Sequence, residues 1–267
     1  MKSRYFYLST FLMLIIFIIS CSTVPVTGRR QLDLIPTSTM LSMSYQQYDE
    51  FLKNHELSDN QRQTAMVKRV GTNIQKAVEE YMAENNMSDQ LENYKWEFNL
   101  IESEEVNAWA MPGGKVVIYT GILEVAQDAG GLAVVMGHEV AHAVARHGDE
   151  RMSQGLVTQL GGMALSAALE NKPEQTRQLW LAAFGVGAQV GFLLPYSRLH
   201  EGEADQLGLI FMAMADYDPR QAVDFWQRMA AQGGGQPPEF LSTHPASESR
   251  IENIKSHMPE ALKYYRQ

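Results

Sequence analysis

Apolar positions along this chain change their spacing several times, and each change marks an element. Ser38 to Leu52 reads as a first helix. Val67, Val70, Ile74, Val78 and Tyr81 recur every three or four residues, which predicts a second helix, capped at Ser58. Trp96, Phe98 and Leu100 then alternate with Glu97 and Asn99, a period of two and therefore a strand. Asn107 to Ala110 leads into a turn at Pro112, Gly113 and Gly114, and Lys115 to Thr120 reads as a second strand. From Gly131 onward the pattern is almost wholly helical. Leu132 to Ala145 forms one helix, with Gly148 as its stop. Two apolar, glycine-rich segments follow near 155–169 and 179–194, separated by the polar "ENKPEQTRQ". The second is about sixteen residues long and contains Gln189, short of the roughly twenty needed to span a bilayer. The pattern therefore predicts buried helices packed closely through Gly185, Gly187 and Gly191. Helices over 197–215, from a cap at Asp218 through Ala231, and over 247–257 complete the chain, with "QGGGQPP" as a flexible loop. The fold class is α+β, mostly α-helical, with a small β-sheet.

The N-terminus follows a different logic. Lys2 and Arg4 precede the run "FLMLIIFII" and then "SCS", the charged, apolar and small-residue order of an export signal. The chain's one cysteine, Cys21, sits where such a segment is cut, and one cysteine allows no internal disulfide. Ile18, Ile19, Ser20 and Cys21 resemble a bacterial lipobox, which implies lipidation of Cys21 and a membrane tether. Ser22 after the cysteine favours the outer membrane within that resemblance. The expected organisation is a lipoprotein-type signal over 1–20, a tether over 21–36 and a catalytic domain over 37–267. The expected location is the periplasmic face of the outer membrane of a bacterial envelope. A formal net charge of −9 argues against non-specific nucleic-acid binding.

The candidate chemistry lies in "GHEVAHAVARHG", Gly137 to Gly148. Side chains on a helix turn by about 100° per residue, so His138 and His142 stand on one face and their imidazoles can converge on one ion. Glu139 lies beside the first histidine and can reach a water that such an ion activates. This is the His-Glu-x-x-His arrangement of zinc hydrolases. His147, nine residues from His138, falls roughly 180° round a continuous helix and is read as a helix-end residue near the C-terminal dipole. A third ligand must come from elsewhere. "SRLHEGEADQLG" offers Glu201 and Asp205, four apart on one face, while Glu203 and His200 point elsewhere. One of the two carboxylates can bind the metal while the other accepts a hydrogen bond from a ligand histidine.

Four motifs in order, "NAWAMPGGKVVIYTGIL", "GHEVAHAVARHG", "SRLHEGEAD" and "STHPASESRI", resemble the HtpX and CAAX-prenyl-protease-like family of zinc metallopeptidases. "CSTVPVTGRRQL" is similar to its bacterial periplasmic lipoprotein branch. The resemblance implies a gluzincin-type domain with the sheet beside the active-site helix. It also implies one Zn2+ on His138, His142 and Glu201, Glu139 as general base and Asp205 behind a ligand. His244, in "THP", matches a histidine near the metal. Arg250 is a candidate for pairing a carboxylate or stabilising an oxyanion.

Such sites usually bind extended substrate. The strand holding Val116, Val117 and Ile118 is a candidate sheet edge to which a peptide adds, with Asn107 and Ala108 lining the same groove. The expected activity is a metalloendopeptidase acting on misfolded or envelope proteins. A rival reading is a binding or chaperone module for outer-membrane protein assembly. A third is a latent protease with His244 in the fourth zinc position.

Overall fold

The computed structural model of this chain describes residues 21–25, 27–232 and 238–266. The expected signal over 1–20 and the core of the glycine loop, 233–237, lie outside the described residues. The chain forms two compact units. One comprises the described residues up to Thr39 together with Gly148–Tyr196; the other comprises Met40–His147 and the residues from Ser197 onward.

In the first unit, β1 (Cys21–Thr23) and β2 (Arg30–Leu32) pair antiparallel. The segment expected to be a tether is thus folded at its start. Arg29 donates two hydrogen bonds, 3.0 and 2.8 Å, to the two carboxylate oxygens of Glu150.

The second unit carries the site. After α1 (Thr37–Asn54), α2 (Gln61–Glu84) starts from Asn60, whose side chain accepts from the Gln63 N–H. Ser58, the expected cap, instead donates its N–H to Leu100. It lies beside the bridge between Leu57 and Ile101, and its Oγ accepts from the Asn60 N–H, one residue before the helix starts. Three strands follow: β3 (Glu97–Ile101), β4 (Ala108–Met111) and β5 (Lys115–Tyr119). Their order is β3-β5-β4, with β3 parallel and β4 antiparallel to β5.

This order corrects the expected groove. β5 is the central strand, hydrogen-bonded on both sides, and Val116, Val117 and Ile118 are all 0% exposed. No peptide can add to it. The short strand beginning at Ala108 is an edge instead, because among the described residues it pairs on one side only.

After α3 (Thr120–Ala126), the metal helix α4 runs Ala129–Val144. Asp128 caps it by accepting from Gly130 N–H and Gly131 N–H. Every α4 residue from Gly130 onward is buried. It packs on α2 and on β4.

The stop falls earlier than expected. Arg146 takes φ +59, the left-handed region, and breaks the helix before Gly148 is reached. Gly148 lies inside the next helix, α5 (His147–Ala168). α6 (Glu174–Ala188), a π-helical turn over Gln189–Leu193 and α7 (Leu194–Met214) follow.

The expected burial of 155–169 and 179–194 is also corrected. Leu160, Met163, Leu179, Trp180, Val186 and Val190 are exposed, and α6 has no buried residue. A side chain added at Gly185, Gly187 or Gly191 would meet nothing within 4 Å, so these glycines mediate no close packing. No described helix is long and apolar enough to cross a membrane.

The chain closes with α8 (Gln221–Ala231), α9 (Glu239–Thr243) and α10 (Glu248–Ala261). Ser247 caps α10 by accepting from the Arg250 N–H. Trp226 and Phe240 stack at 5.9 Å in the core beside the site.

One crossing positions the chemistry. A Cβ added at Gly208 on α7 would lie 2.9 Å from the His138 backbone nitrogen, and one added at Gly137 would lie 2.9 Å from the Gly208 carbonyl oxygen. The two backbones touch because neither residue has a side chain. Gly208→Ala is expected to force the helices apart and cost about 1–3 kcal/mol, the usual range for overpacking. A lowered urea midpoint with an unchanged denaturant slope is the measurement that checks it.

Candidate metal centre

Four ligand atoms converge from three places: His138 and His142 on α4, Glu201 on α7, and His244 at the end of α9. All lie within 4.8 Å of one another. His138 Nε2 is 3.1 Å from His142 Nε2 and 3.4 Å from Glu201 Oε2. His142 Nε2 is 3.2 Å from Glu201 Oε1. His244 Nδ1 is 3.0 Å from both Glu201 oxygens and 3.2 Å from His138 Nε2.

These separations test the fit of a zinc ion. With metal–ligand bonds of about 2.0–2.1 Å, tetrahedral neighbours stand about 3.3 Å apart. The observed edges cluster around that value, and imidazole nitrogens with one carboxylate are a donor set zinc accepts. The residues fit the metal.

The groups behind the ligands are ordered too. His138 Nδ1 lies 3.0 Å from Asp205 Oδ1. Arg250 grips Asp205 with two hydrogen bonds, 2.9 Å from Nε to Oδ2 and 2.6 Å from NH2 to Oδ1. Its NH1 is 3.1 Å from Glu201 Oε2, and its guanidinium carbon sits 3.4 Å over the Trp226 ring. Of the two roles expected for Arg250, the structure displays pairing with carboxylates.

Electrostatics follow from burial and these contacts. Burial pushes the Asp205 carboxyl up, but the Arg250 charge and the His138 hydrogen bond outweigh it and leave it below the usual range. Burial likewise raises Glu201, and hydrogen bonds from His138, His142 and His244 carry it far lower still. Burial and Arg250 depress His138, while hydrogen bonds to Asp205 and Glu201 lift it to about 9. Burial dominates at His142 and drives it well below its ordinary value.

Glu139 differs from the other carboxylates. Burial raises it against the pull of His244 and His138, and Glu201 adds to the rise. Its Oε1 is buried without a hydrogen bond among the described residues, 3.5 Å from His244 Nε2. A carboxylate so placed is more ready to take up a proton than an exposed one.

His147 is not the outward-facing residue that a continuous helix predicts. It is 0% exposed, with Nδ1 2.9 Å from His142 Nδ1 and Nε2 3.2 Å from Glu203 Oε2. The 100°-per-residue projection fails because the chain turns at Arg146. The signal for that turn is present in the sequence: Asp149 and Glu150 follow at once, and acidic residues mark the first turn of a new helix. Glu203, read as pointing away from the site, is buried behind it. Of the expected groove residues, Asn107 is half-buried and donates nothing to the cluster, and Ala108 begins edge strand β4.

A family model described as Peptidase family M48 matches residues 69–258. The chain is similar to mitochondrial metalloendopeptidase OMA1 of Schizosaccharomyces pombe, 32% identical over 240 residues, 89% of this chain and 66% of that protein. Human mitochondrial metalloendopeptidase OMA1 is 31% identical over 250 residues, 90% of this chain and 46% of its own length. The β-barrel assembly-enhancing protease of Escherichia coli is 30% identical over 168 residues, 60% of this chain and 34% of that protein. The chain thus spans between a third and two thirds of these relatives.

These likenesses correct the expected location on the periplasmic face of a bacterial outer membrane. The relatives matched over about nine tenths of the chain, in fission yeast, cattle and human, are mitochondrial by name. The expectation rested on the residue order over 1–22 and on the likeness of "CSTVPVTGRRQL", and short N-terminal patterns carry too little information to assign a compartment.

Removing the Arg250 charge leaves Asp205 buried beside Glu201 without the guanidinium that pairs with both. Arg250→Met is expected to cost about 3–5 kcal/mol. Adding Asp205→Asn to that variant is expected to recover part of the loss. Urea unfolding in the presence of a chelator, on the parent and both variants, measures it.

Proposed function

This chain belongs to peptidase family M48, and on that premise we propose that it is a zinc-dependent endopeptidase in which Glu139 carries the proton. The observation that carries the reading is the pairing of a four-atom ligand cluster with Glu139, a buried carboxylate whose Oε1 has no hydrogen-bond partner among the described residues. His138, His142 and Glu201 would hold the metal. Zinc bound there would supply a Lewis acid for the scissile carbonyl and lower the pKa of a water molecule.

The rest is done by the chain itself. Glu139 takes a proton from the attacking water as its oxygen bonds to the peptide carbon. The C–N bond then breaks, and Glu139 returns the proton to the departing amine nitrogen. Asp205 fixes the His138 ring by accepting from Nδ1, and Arg250 holds Asp205 in place.

Substrate binding is assigned to β4. Its free edge, Ala108–Met111, packs beside the metal helix, and an extended peptide adding there would be held by main-chain hydrogen bonds. Such binding reads little sequence, which supports unfolded or misfolded protein segments as the substrate class. The name of the Escherichia coli relative supports a narrower reading, in which proteins being assembled into β-barrels are among the substrates or partners. The lipoprotein-branch reading, with an acyl tether on Cys21, is supported by the lipobox-like Ile18, Ile19, Ser20 and Cys21 and by "CSTVPVTGRRQL".

A second reading concerns regulation. His244 Nδ1 is as close to Glu201 as a ligand atom would be, which favours a latent state with His244 in the fourth position. Substrate then enters only when the α9 end withdraws.

Two outcomes test these readings. Glu139→Gln is expected to retain zinc, by metal analysis, while casein cleavage falls by about 10²–10⁴-fold, the range for loss of a general base. Equal cleavage by that variant contradicts the first reading. His244→Ala is expected to cleave casein faster than the parent if the fourth position is self-occupied. Unchanged or lower activity rejects latency.

A further inference from the structure

The two histidines of α4 are supported differently. Behind His138 stands a carboxylate, Asp205. Behind His142 stands another imidazole: the two Nδ1 atoms of His142 and His147 face each other at 2.9 Å. The far nitrogen of His147 faces Glu203 Oε2 at 3.2 Å.

Proton bookkeeping leaves one consistent assignment. Two ring nitrogens 2.9 Å apart need one proton between them. If His142 is to offer its Nε2 lone pair to a cation, its own proton sits on Nδ1. His147 Nδ1 must then accept, so the His147 proton sits on Nε2. That nitrogen points at a carboxylate, which can only accept. Each atom in the chain is therefore in the role that metal binding at His142 requires.

The surroundings hold this geometry rigidly. His147 is 0% exposed and Glu203 is 4% exposed. The His200 ring stacks on His147 at 4.3 Å and 14°, which fixes the plane of the intermediate ring. The left-handed Arg146 places His147 there, a conformation costing roughly 1–2 kcal/mol for a residue with a side chain. Strain of this kind persists where the neighbouring structure requires it.

We propose that His147 and Glu203 are positioning residues of the metal centre: a two-step hydrogen-bonded relay that fixes His142 in its Nδ1–H tautomer with Nε2 turned toward the cation. Asp205 serves His138 in one step, and the His147–Glu203 pair serves His142 in two. The relay rests on the zinc-peptidase reading above and assigns it residues that touch neither substrate nor metal.

The test measures metal, not turnover. The full chain is stripped, and zinc binding is measured by competition with a chromogenic chelator. Cobalt(II) is then added in place of zinc, and its visible d–d bands are recorded. In His147→Asn, Oδ1 takes the place of Nδ1 and still accepts from His142, so affinity and bands stay near those of the parent. In His147→Leu the acceptor is gone, and zinc affinity falls by about 10–100-fold, the usual cost of losing such a partner. The cobalt bands shift with it.

Melting of the stripped proteins separates this from a folding defect: the three should unfold alike. Equal zinc affinity and an unchanged cobalt spectrum in His147→Leu overturn the relay. If His147→Leu does not fold, Glu203→Gln and Glu203→Leu decide. Gln keeps an acceptor and is expected to bind like the parent, Leu to bind more weakly; equal affinity in both overturns the relay. A parent chain that binds no zinc sinks the peptidase reading itself, and that failure is visible before any variant is compared.

Discussion

The site exists because two helix backbones touch. His138 and His142 ride on α4 and Glu201 on α7, and one cation can meet all three only if the helix axes come closer than ordinary side chains allow. Gly137 and Gly208 remove the obstacle at the crossing. Gly137 directly precedes the first ligand, and Gly208 lies seven residues after Glu201, two helical turns along the same face. The contact is therefore tied to the register of both motifs. Slip either helix by one residue, and the carboxylates leave the imidazoles.

What the sequence revealed, it revealed where the chemistry is local. His138, Glu139 and His142 share one helix, as do Glu201 and Asp205, and helical spacing alone places each set on a face. The errors came where one element was extrapolated into the next. His147 was projected along a helix that ends at Val144, although Asp149 and Glu150 announce a fresh start. Its place just before the metal helix suggests an edge for β5, but strand order is decided by β4 folding back on it. The segments 155–169 and 179–194 read as buried because their sequences are apolar nearly all round. Apolar composition states what a helix would gain from cover and does not supply the cover.

Arg250 links the last helix, α10, to α7. A planar guanidinium can bond Asp205 with two nitrogens, reach Glu201 with a third and lie flat on Trp226 at the same time. A lysine, with one compact charge, could do only one of these. Ser247, by capping α10 on the Arg250 N–H, fixes where that side chain starts. The C-terminal segment thus enters the site by a cap, a stack and a fork, three weak constraints that agree. His244 comes from the same region, so the residue best placed to block the metal is carried on the segment that completes it.

The charges set a final condition. Glu139, Glu201, Glu203 and Asp205 are gathered in or behind the cluster, and Arg250 bonds two of them, Glu201 and Asp205. Such an excess of buried carboxylate is tolerable only if positive charge is supplied. Burial and Arg250 both oppose a proton on His138, yet Asp205 and Glu201 overcome them and hold one up to about pH 9. Asp205 at Nδ1 and Glu201 beside Nε2 would likewise favour a divalent cation at Nε2. Proton and metal compete for one lone pair, with the metal bringing twice the charge to a centre that lacks it. The geometry that makes His138 a strong base is thus the geometry that makes it a strong ligand.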